Sequence, residues 1–140
     1  MIGDGPPDSP QDEQRPMRIL YAEDCENNVM LISFYLQKLP YQLDSAENGQ
    51  VAVDMYRAEP YDVVLMDIQM PVMDGYEATR EIRRIEQERG LAPCPVIAIT
   101  AHALEENRKK AMDAGCNVFL TKPVRKVQLV ETIQELTAKA

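Results

Sequence analysis

No apolar run in this chain approaches the roughly 20 residues of a membrane-spanning helix, and the N-terminus lacks a signal-peptide pattern. A basic surplus is missing as well. The 140 residues carry 15 Lys and Arg against 23 Asp and Glu, a formal net charge of −8. A nucleic-acid backbone demands the opposite sign, so DNA or RNA binding is not expected. Cysteine is scarce: Cys25, Cys94 and Cys116 are odd in number, widely spaced and form no C-x-x-C pair. That excludes a disulfide framework and a zinc site, and it reads as reduced thiols. Together these absences point to the cytoplasm, or to the cytoplasmic side of a membrane that this domain does not itself touch.

What is present suits one globular domain. The length leaves little room for a second domain, and a 45% hydrophobic content can fill a core. Residues 1–16 stand apart. They are rich in Pro, Gly and acid, with Asp4, Asp8, Asp12 and Glu13 against Arg15 and little that is apolar. Such a segment cannot offset its ordering entropy by burial, so it reads as a disordered linker or tail. The domain is expected to span residues 17–140.

From Met17 the pattern alternates. Short strands are predicted at Met17–Ala22, Gln42–Ala46, Val63–Met66, Val96–Ile99 and Val118–Leu120. Between them lie helical stripes. Asn27–Leu39 carries Val29, Ile32, Leu36 and Leu39 and is closed by Pro40. A second helix, capped by Asn48, carries Ala52, Met55 and Tyr56 and stops before Pro60. A third, after the Asp74-Gly75 turn, carries Ala78, Ile82 and Ile85. Leu104–Ala114 has only Leu104 and Met112 as large apolar anchors and ends at Gly115, and Val127–Thr137 presents Leu129, Ile133 and Leu136. Apolar strands alternating with helices imply an α/β fold with a parallel sheet covered on both faces. A doubly wound, flavodoxin-like order 2-1-3-4-5 with five helices is expected, with its site at the carboxyl ends of the strands.

That is where the reactive residues fall. Glu23 and Asp24 follow the first strand, Asp67 the third, Thr100 the fourth and Lys122 the fifth, with Pro123 next. Three converging carboxylates repel one another unless a cation intervenes. Mg²⁺ suits such a rim, because it takes one or two carboxylates, waters and a phosphate. Lys122 and Thr100 add a point charge and a hydroxyl, the groups that clamp a phosphoryl carried on a carboxylate nucleophile.

The runs Tyr21-Ala22-Glu23-Asp24, Val64 through Gly75 (VLMDIQMPVMDG), Ile99-Thr100-Ala101 and Leu120-Thr121-Lys122-Pro123 occur in this order. They resemble the receiver domain of two-component response regulators, over residues 17 to about 138. The resemblance implies that Asp67 is the phosphoacceptor and that Asp24 binds Mg²⁺ directly, with Glu23 acting through water. It implies a Gln69 backbone carbonyl on the metal, with Mn²⁺ able to substitute. Thr100 would be the switch hydroxyl, Lys122 the phosphate-binding lysine and Phe119 the switch aromatic, with a cis bond before Pro123. Asn28, Asp67-Ile68-Gln69-Met70-Pro71, Tyr76-Glu77-Ala78 and Thr100-Ala101-His102-Ala103 are similar to receivers of hybrid sensor histidine kinases. The partners implied are a sensor histidine kinase or a histidine phosphotransfer domain, and the implied state is a monomer or weak phosphorylation-dependent dimer. With no output domain after Ala140, the chain is expected to be a stand-alone receiver or part of a larger protein. Its only chemistry would be self-catalysed phosphoryl acceptance and autodephosphorylation.

Three other readings fit the sequence less well. An aspartyl-phosphate phosphatase needs a second acid two residues after its nucleophile, and here Gln69 stands there. A flavodoxin-like cofactor protein needs a Ser-, Thr- or Gly-rich loop after the first strand, where Glu23-Asp24-Cys25-Glu26 would repel phosphate. A degenerate receiver acting only by protein interaction is opposed by the intact Asp67, Thr100 and Lys122. The sole histidine, His102, fits the mouth of the site together with Gln69, or a solvated loop, and the sequence leaves both open.

Overall fold

The computed structural model describes residues 16–102 and 104–138; the segment expected to be a linker lies, except for Pro16, outside the described residues. Five strands alternate with five helices. They are β1 (Met17–Ala22), α1 (Glu26–Leu36), β2 (Tyr41–Ala46), α2 (Gly49–Ala58), β3 (Val63–Asp67), α3 (Gly75–Arg89), β4 (Val96–Thr100), α4 (Glu105–Ala114), β5 (Val118–Thr121) and α5 (Lys126–Thr137). All neighbouring pairs are parallel, in the expected order β2-β1-β3-β4-β5.

Alternation along each strand sorts the core into two layers. Leu20, Ala22, Val64, Met66, Val96 and Ala98 face α2, α3 and α4, meeting Ala52, Tyr56, Ala78, Ile82 and Ala111. Ile19, Tyr21, Val63, Leu65, Ile97 and Ile99 face α1 and α5, meeting Ile32, Leu36, Leu129 and Ile133. β3 and β4 are buried along their whole length. That explains why they read as unbroken apolar runs.

Element ends shift in informative ways. β3, β4 and β5 each run one residue further than the apolar pattern, so Asp67, Thr100 and Thr121 are still in register: Asp67 pairs Ile99, and Thr100 pairs Thr121. Sheet pairing therefore fixes the backbone of the site residues. Helix α1 stops at Leu36, three residues short of the expected Leu39, although Leu39 still packs on the core from the turn that follows. Its N–H donates to the Leu36 carbonyl at 3.0 Å.

Helix α4 corrects an expectation. Its buried residues are Ala111 and Ala114, while Leu104 and Met112 are 60% and 36% exposed. The helix is thus seated through small side chains at its C-terminal end. Arg83 of α3 clamps that end, donating from Nε and Nη2 to the Gly115 carbonyl at 3.1 and 2.7 Å.

Gly75 brings the start of α3 against the end of β3. A Cβ at Gly75 would lie 2.5 Å from the Asp67 carbonyl oxygen and 2.9 Å from the Ile68 Cα. Neither neighbour can yield, because both are backbone. Gly75→Ala should therefore destabilise the fold by about 1–3 kcal/mol, the range of an overpacked site. Urea unfolding would measure this, and an unchanged midpoint would contradict the close approach.

Candidate functional site

The strand ends bring the expected residues together. Glu23 follows β1, its N–H continuing the ladder to the Ala46 carbonyl at 2.9 Å. Asp67 ends β3, Thr100 ends β4, and Lys122 follows β5, its N–H reaching the Thr100 carbonyl at 2.8 Å. Glu23, Asp67 and Thr100 are buried at 3%, 2% and 0% exposure, whereas Asp24 is exposed. The site therefore has two buried carboxylates and one open to solvent.

Lys122 bridges the buried pair. Its Nζ donates to Glu23 Oε1 at 3.1 Å and lies 3.3 Å from Asp67 Oδ1. The second contact is an ion pair without hydrogen-bond geometry, so Asp67 Oδ1 is buried with no hydrogen-bond partner among the described residues. Glu23 is satisfied on both oxygens. Oε1 also accepts from the Tyr21 hydroxyl at 3.0 Å, and Oε2 accepts from the Cys25 N–H at 3.1 Å.

These surroundings divide the carboxylates electrostatically. Burial pushes the Asp67 carboxyl up, the Glu23 charge adds to this, and Lys122 only partly opposes it, leaving a pKa of about 6. Burial acts on Glu23 in the same direction, but the bonds from Lys122, the Cys25 amide and Tyr21 outweigh it and hold Glu23 below the ordinary range. Lys122 is lowered by burial and raised more by Asp67 and Glu23, so it remains an ammonium.

The donor set fits a hard divalent cation. One carboxylate oxygen from each of Glu23, Asp24 and Asp67 can be chosen so that all lie within 4.8 Å of one another. The buried Asp67 Oδ1 without a hydrogen-bond donor is the kind of atom a cation satisfies. Thr100 and Gln69 are already in contact. The Thr100 hydroxyl donates to Gln69 Oε1 at 3.0 Å and accepts from the His102 N–H at 3.1 Å. His102 and Gln69 are both exposed, and His102 reaches Thr100 through its backbone. Phe119 is half-buried, packed on the core layer under α4. The Lys122–Pro123 peptide bond is cis.

Three features were not read from the sequence. Tyr21 lies under Glu23, which the two-residue spacing along a strand allows. Val72, in the loop after Asp67, has φ +71° and is 80% exposed. That conformation is an outlier for a β-branched residue, and it marks local strain beside the site. Exposed apolar side chains also line α1 next to the site: Met30 at 68% and Phe34 at 66%.

Comparison with known proteins agrees with this geometry. Residues 19–134 match the response regulator receiver domain family. The sensor histidine kinase GacS of Pseudomonas protegens is 36% identical over 126 residues, which is 90% of this chain but 14% of that protein. The response regulator SSK1 of Cochliobolus heterostrophus is 33% identical over 158 residues, covering 86% of this chain and 20% of that protein. The chain thus spans only a small part of its curated relatives. Among solved structures, the receiver domain of the sensor histidine kinase PA1611 from Pseudomonas aeruginosa has a magnesium ion coordinated in its active-site cleft. It superimposes with a TM-score of 0.79 at 37% identity, covering 89% of this chain and 99% of that one. The Saccharomyces cerevisiae Ssk1 receiver, co-crystallised with the histidine phosphotransfer protein Ypd1, gives a TM-score of 0.83 at 32% identity, covering 88% of this chain and 90% of that one. With its parallel sheet, its acidic rim and a family match over most of its length, this chain belongs to the response regulator receiver domain family of two-component phosphorelay systems.

Proposed function

We propose that Asp67 accepts a phosphoryl group from a phosphohistidine, on a sensor histidine kinase or a histidine phosphotransfer domain. The observation that carries this is the buried Asp67 carboxylate at the end of β3, with one oxygen lacking a hydrogen bond and an ammonium 3.3 Å away. A carboxylate oxygen of Asp67 attacks phosphorus as the donor's P–N bond breaks. The electron pair leaves with the imidazole nitrogen, which then takes up a proton. Lys122 shifts toward the phosphoryl oxygens and balances charge that moves onto them. Thr100 gives up its bond to Gln69 and donates to the phosphoryl instead, drawing the β4–α4 connection toward Asp67.

Asp67, Asp24 and the Gln69 backbone carbonyl would hold Mg²⁺, with Glu23 acting through water, and the ion would supply positive charge at the transferring group; Mn²⁺ should serve as well. The exposed Met30 and Phe34 of α1 offer a partner an apolar surface beside the site. The chemistry proposed for this chain ends at acceptance and loss of the phosphoryl group. Three free thiols and the lack of a membrane-spanning helix among the described residues agree with a cytoplasmic setting.

The raised Asp67 pKa has a definite stability sign. Between its ordinary value of 3.8 and about 6, folded Asp67 holds a proton that the unfolded chain has released. Its contribution to stability is therefore complete below the first value and is lost as pH rises through the second. Asp67→Asn should raise the metal-free melting temperature more at about pH 7.5 than at about pH 4.5. Millimolar Mg²⁺ should stabilise the wild type by several degrees at neutral pH and Asp67→Asn much less. Asp24→Asn should also lose the metal response, with a smaller gain without metal, since Asp24 is exposed and is the weakest of the named influences on Asp67. Equal melting shifts at both pH values would contradict a destabilising ionised Asp67.

The acceptor itself is tested by labelling with a small phosphodonor and Mg²⁺. Asp67→Asn should abolish the acid-stable, hydroxylamine-labile phosphate, and retention of the label would move the acceptor elsewhere. Hydrogen exchange gives a separate check on the switch. A phosphoryl mimic should change protection at Thr100, in α4 and around Phe119, and no change there would remove α4 from the response.

A further inference from the structure

Tyr21 is a buried aromatic that the phosphoryl chemistry described above does not use, yet it touches that chemistry. Its ring is 2% exposed and packs in the layer shared with α1 and α5. A phenylalanine would fill that space as well. The hydroxyl is the part that needs explaining: it donates to Glu23 Oε1 at 3.0 Å, the same oxygen that accepts from Lys122 at 3.1 Å.

Two donors share one buried carboxylate oxygen, whose two lone pairs accommodate both. For Lys122 to serve a phosphoryl group on Asp67, it must loosen its bond to Glu23. A buried carboxylate oxygen left without a donor is costly. The Tyr21 hydroxyl removes that cost, because it stays on Oε1 while Lys122 moves. The Cys25 N–H holds the other oxygen at 3.1 Å, so the Glu23 carboxylate cannot follow the lysine. Glu23 is thereby fixed in place and remains satisfied whether Lys122 is present or gone. We propose that Tyr21 is a positioning residue for phosphoryl transfer: its hydroxyl anchors Glu23 so that Lys122 can leave it for the phosphoryl oxygens. This rests on the proposed acceptance of phosphate by Asp67.

The test uses the whole chain, with acetyl phosphate as donor and saturating Mg²⁺, and rates normalised to the folded fraction seen in amide NMR spectra. Part of the hydroxyl's interaction is common to the ground and transition states, and only the difference affects the rate. Tyr21→Phe should therefore slow labelling by about five- to tenfold, less than the full worth of a charge-assisted hydrogen bond. The Mg²⁺ dissociation constant should change by less than about twofold, since Tyr21 contacts no metal-facing oxygen that Lys122 does not already share. In a Glu23→Gln background the charge that retains Lys122 is gone, so adding Tyr21→Phe should alter the rate by less than about twofold. Should the phenylalanine variant not fold, 3-fluorotyrosine incorporated at position 21 makes the same comparison. Its stronger hydroxyl donor should match or exceed the wild-type rate, and a slower rate overturns the proposal. Three other results overturn it: an unchanged rate in Tyr21→Phe, a full effect persisting in the Glu23→Gln background, or a loss of Mg²⁺ affinity in parallel with the rate. If the wild type takes no label on Asp67, the acceptor reading falls and this inference falls with it. Labelling of the wild type with an indifferent Tyr21→Phe removes the inference alone.

Discussion

The ammonium of Lys122, lodged between the buried carboxylates of Glu23 and Asp67, is the contact on which the rest of the site depends. Burying one carboxylate without a partner is unfavourable by several kcal/mol, and burying two side by side is worse. Lys122 offsets this only in part. Three carboxylates face one ammonium, so the rim keeps an excess of two negative charges, the charge of one divalent cation. The asymmetry within the pair follows from hydrogen bonding. Glu23 has three donors and stays ionised, whereas Asp67 Oδ1 has none and is held near neutrality's edge. A nucleophile must keep a lone pair free, and the structure withholds donors from the one carboxylate that is proposed to react.

The sheet makes this arrangement rigid on one side and leaves it looser on the other. Asp67 and Thr100 sit within hydrogen-bonded register, between strands buried along their whole length. Helix α4 is different. Alanines seat its C-terminal half, and Arg83 locks the Gly115 carbonyl while also binding the Cys94 carbonyl, Asn117 and Glu86. Glu86 is itself buried and takes further donors from Tyr56 and the Cys94 N–H. At the other end, Leu104 has no side-chain cap and is exposed, and the Tyr76 hydroxyl meets the Asn107 carbonyl at a long 3.4 Å. Few buried contacts mean a low opening free energy. The helix is therefore held more firmly at its end nearest Arg83 than at its end nearest Thr100.

Much of this was legible in the sequence because periodicity reports burial directly. Ile82 and Ile85 lie at helical spacing and are buried, and Asn48 caps α2 through a bond from the Val51 N–H, as its place in the sequence implies. The unbroken apolar runs before Asp67 and Thr100 require a sheet covered on both faces, and that topology alone gathers the polar residues that follow each strand. What was not legible depends on three-dimensional phase or on pairing. Leu104 and Met112 are apolar but point to solvent, and no pattern in a short helix distinguishes them from Ala111 and Ala114, which carry the packing. Leu39 continues the stripe of α1 in sequence but packs from a turn. The burial of Glu86 needs Arg83, Tyr56 and the Cys94 amide, contributed from three places in the chain.

The two groups proposed to meet the phosphoryl start from different costs. The Thr100 hydroxyl is already committed to Gln69 Oε1, but Gln69 is exposed, so water can replace that bond when Thr100 turns away. Exchanging one neutral hydrogen bond for another changes the free energy little. Lys122 starts from a buried carboxylate, where the low local dielectric magnifies every charge. Release of Thr100 from Gln69 thus costs little, and a charge-assisted bond to the proposed phosphoryl would favour the moved position. Movement of Lys122 is limited by what remains on Glu23, which places control of the chemistry in the buried groups beneath the site and control of the conformational response in the exposed ones at its mouth.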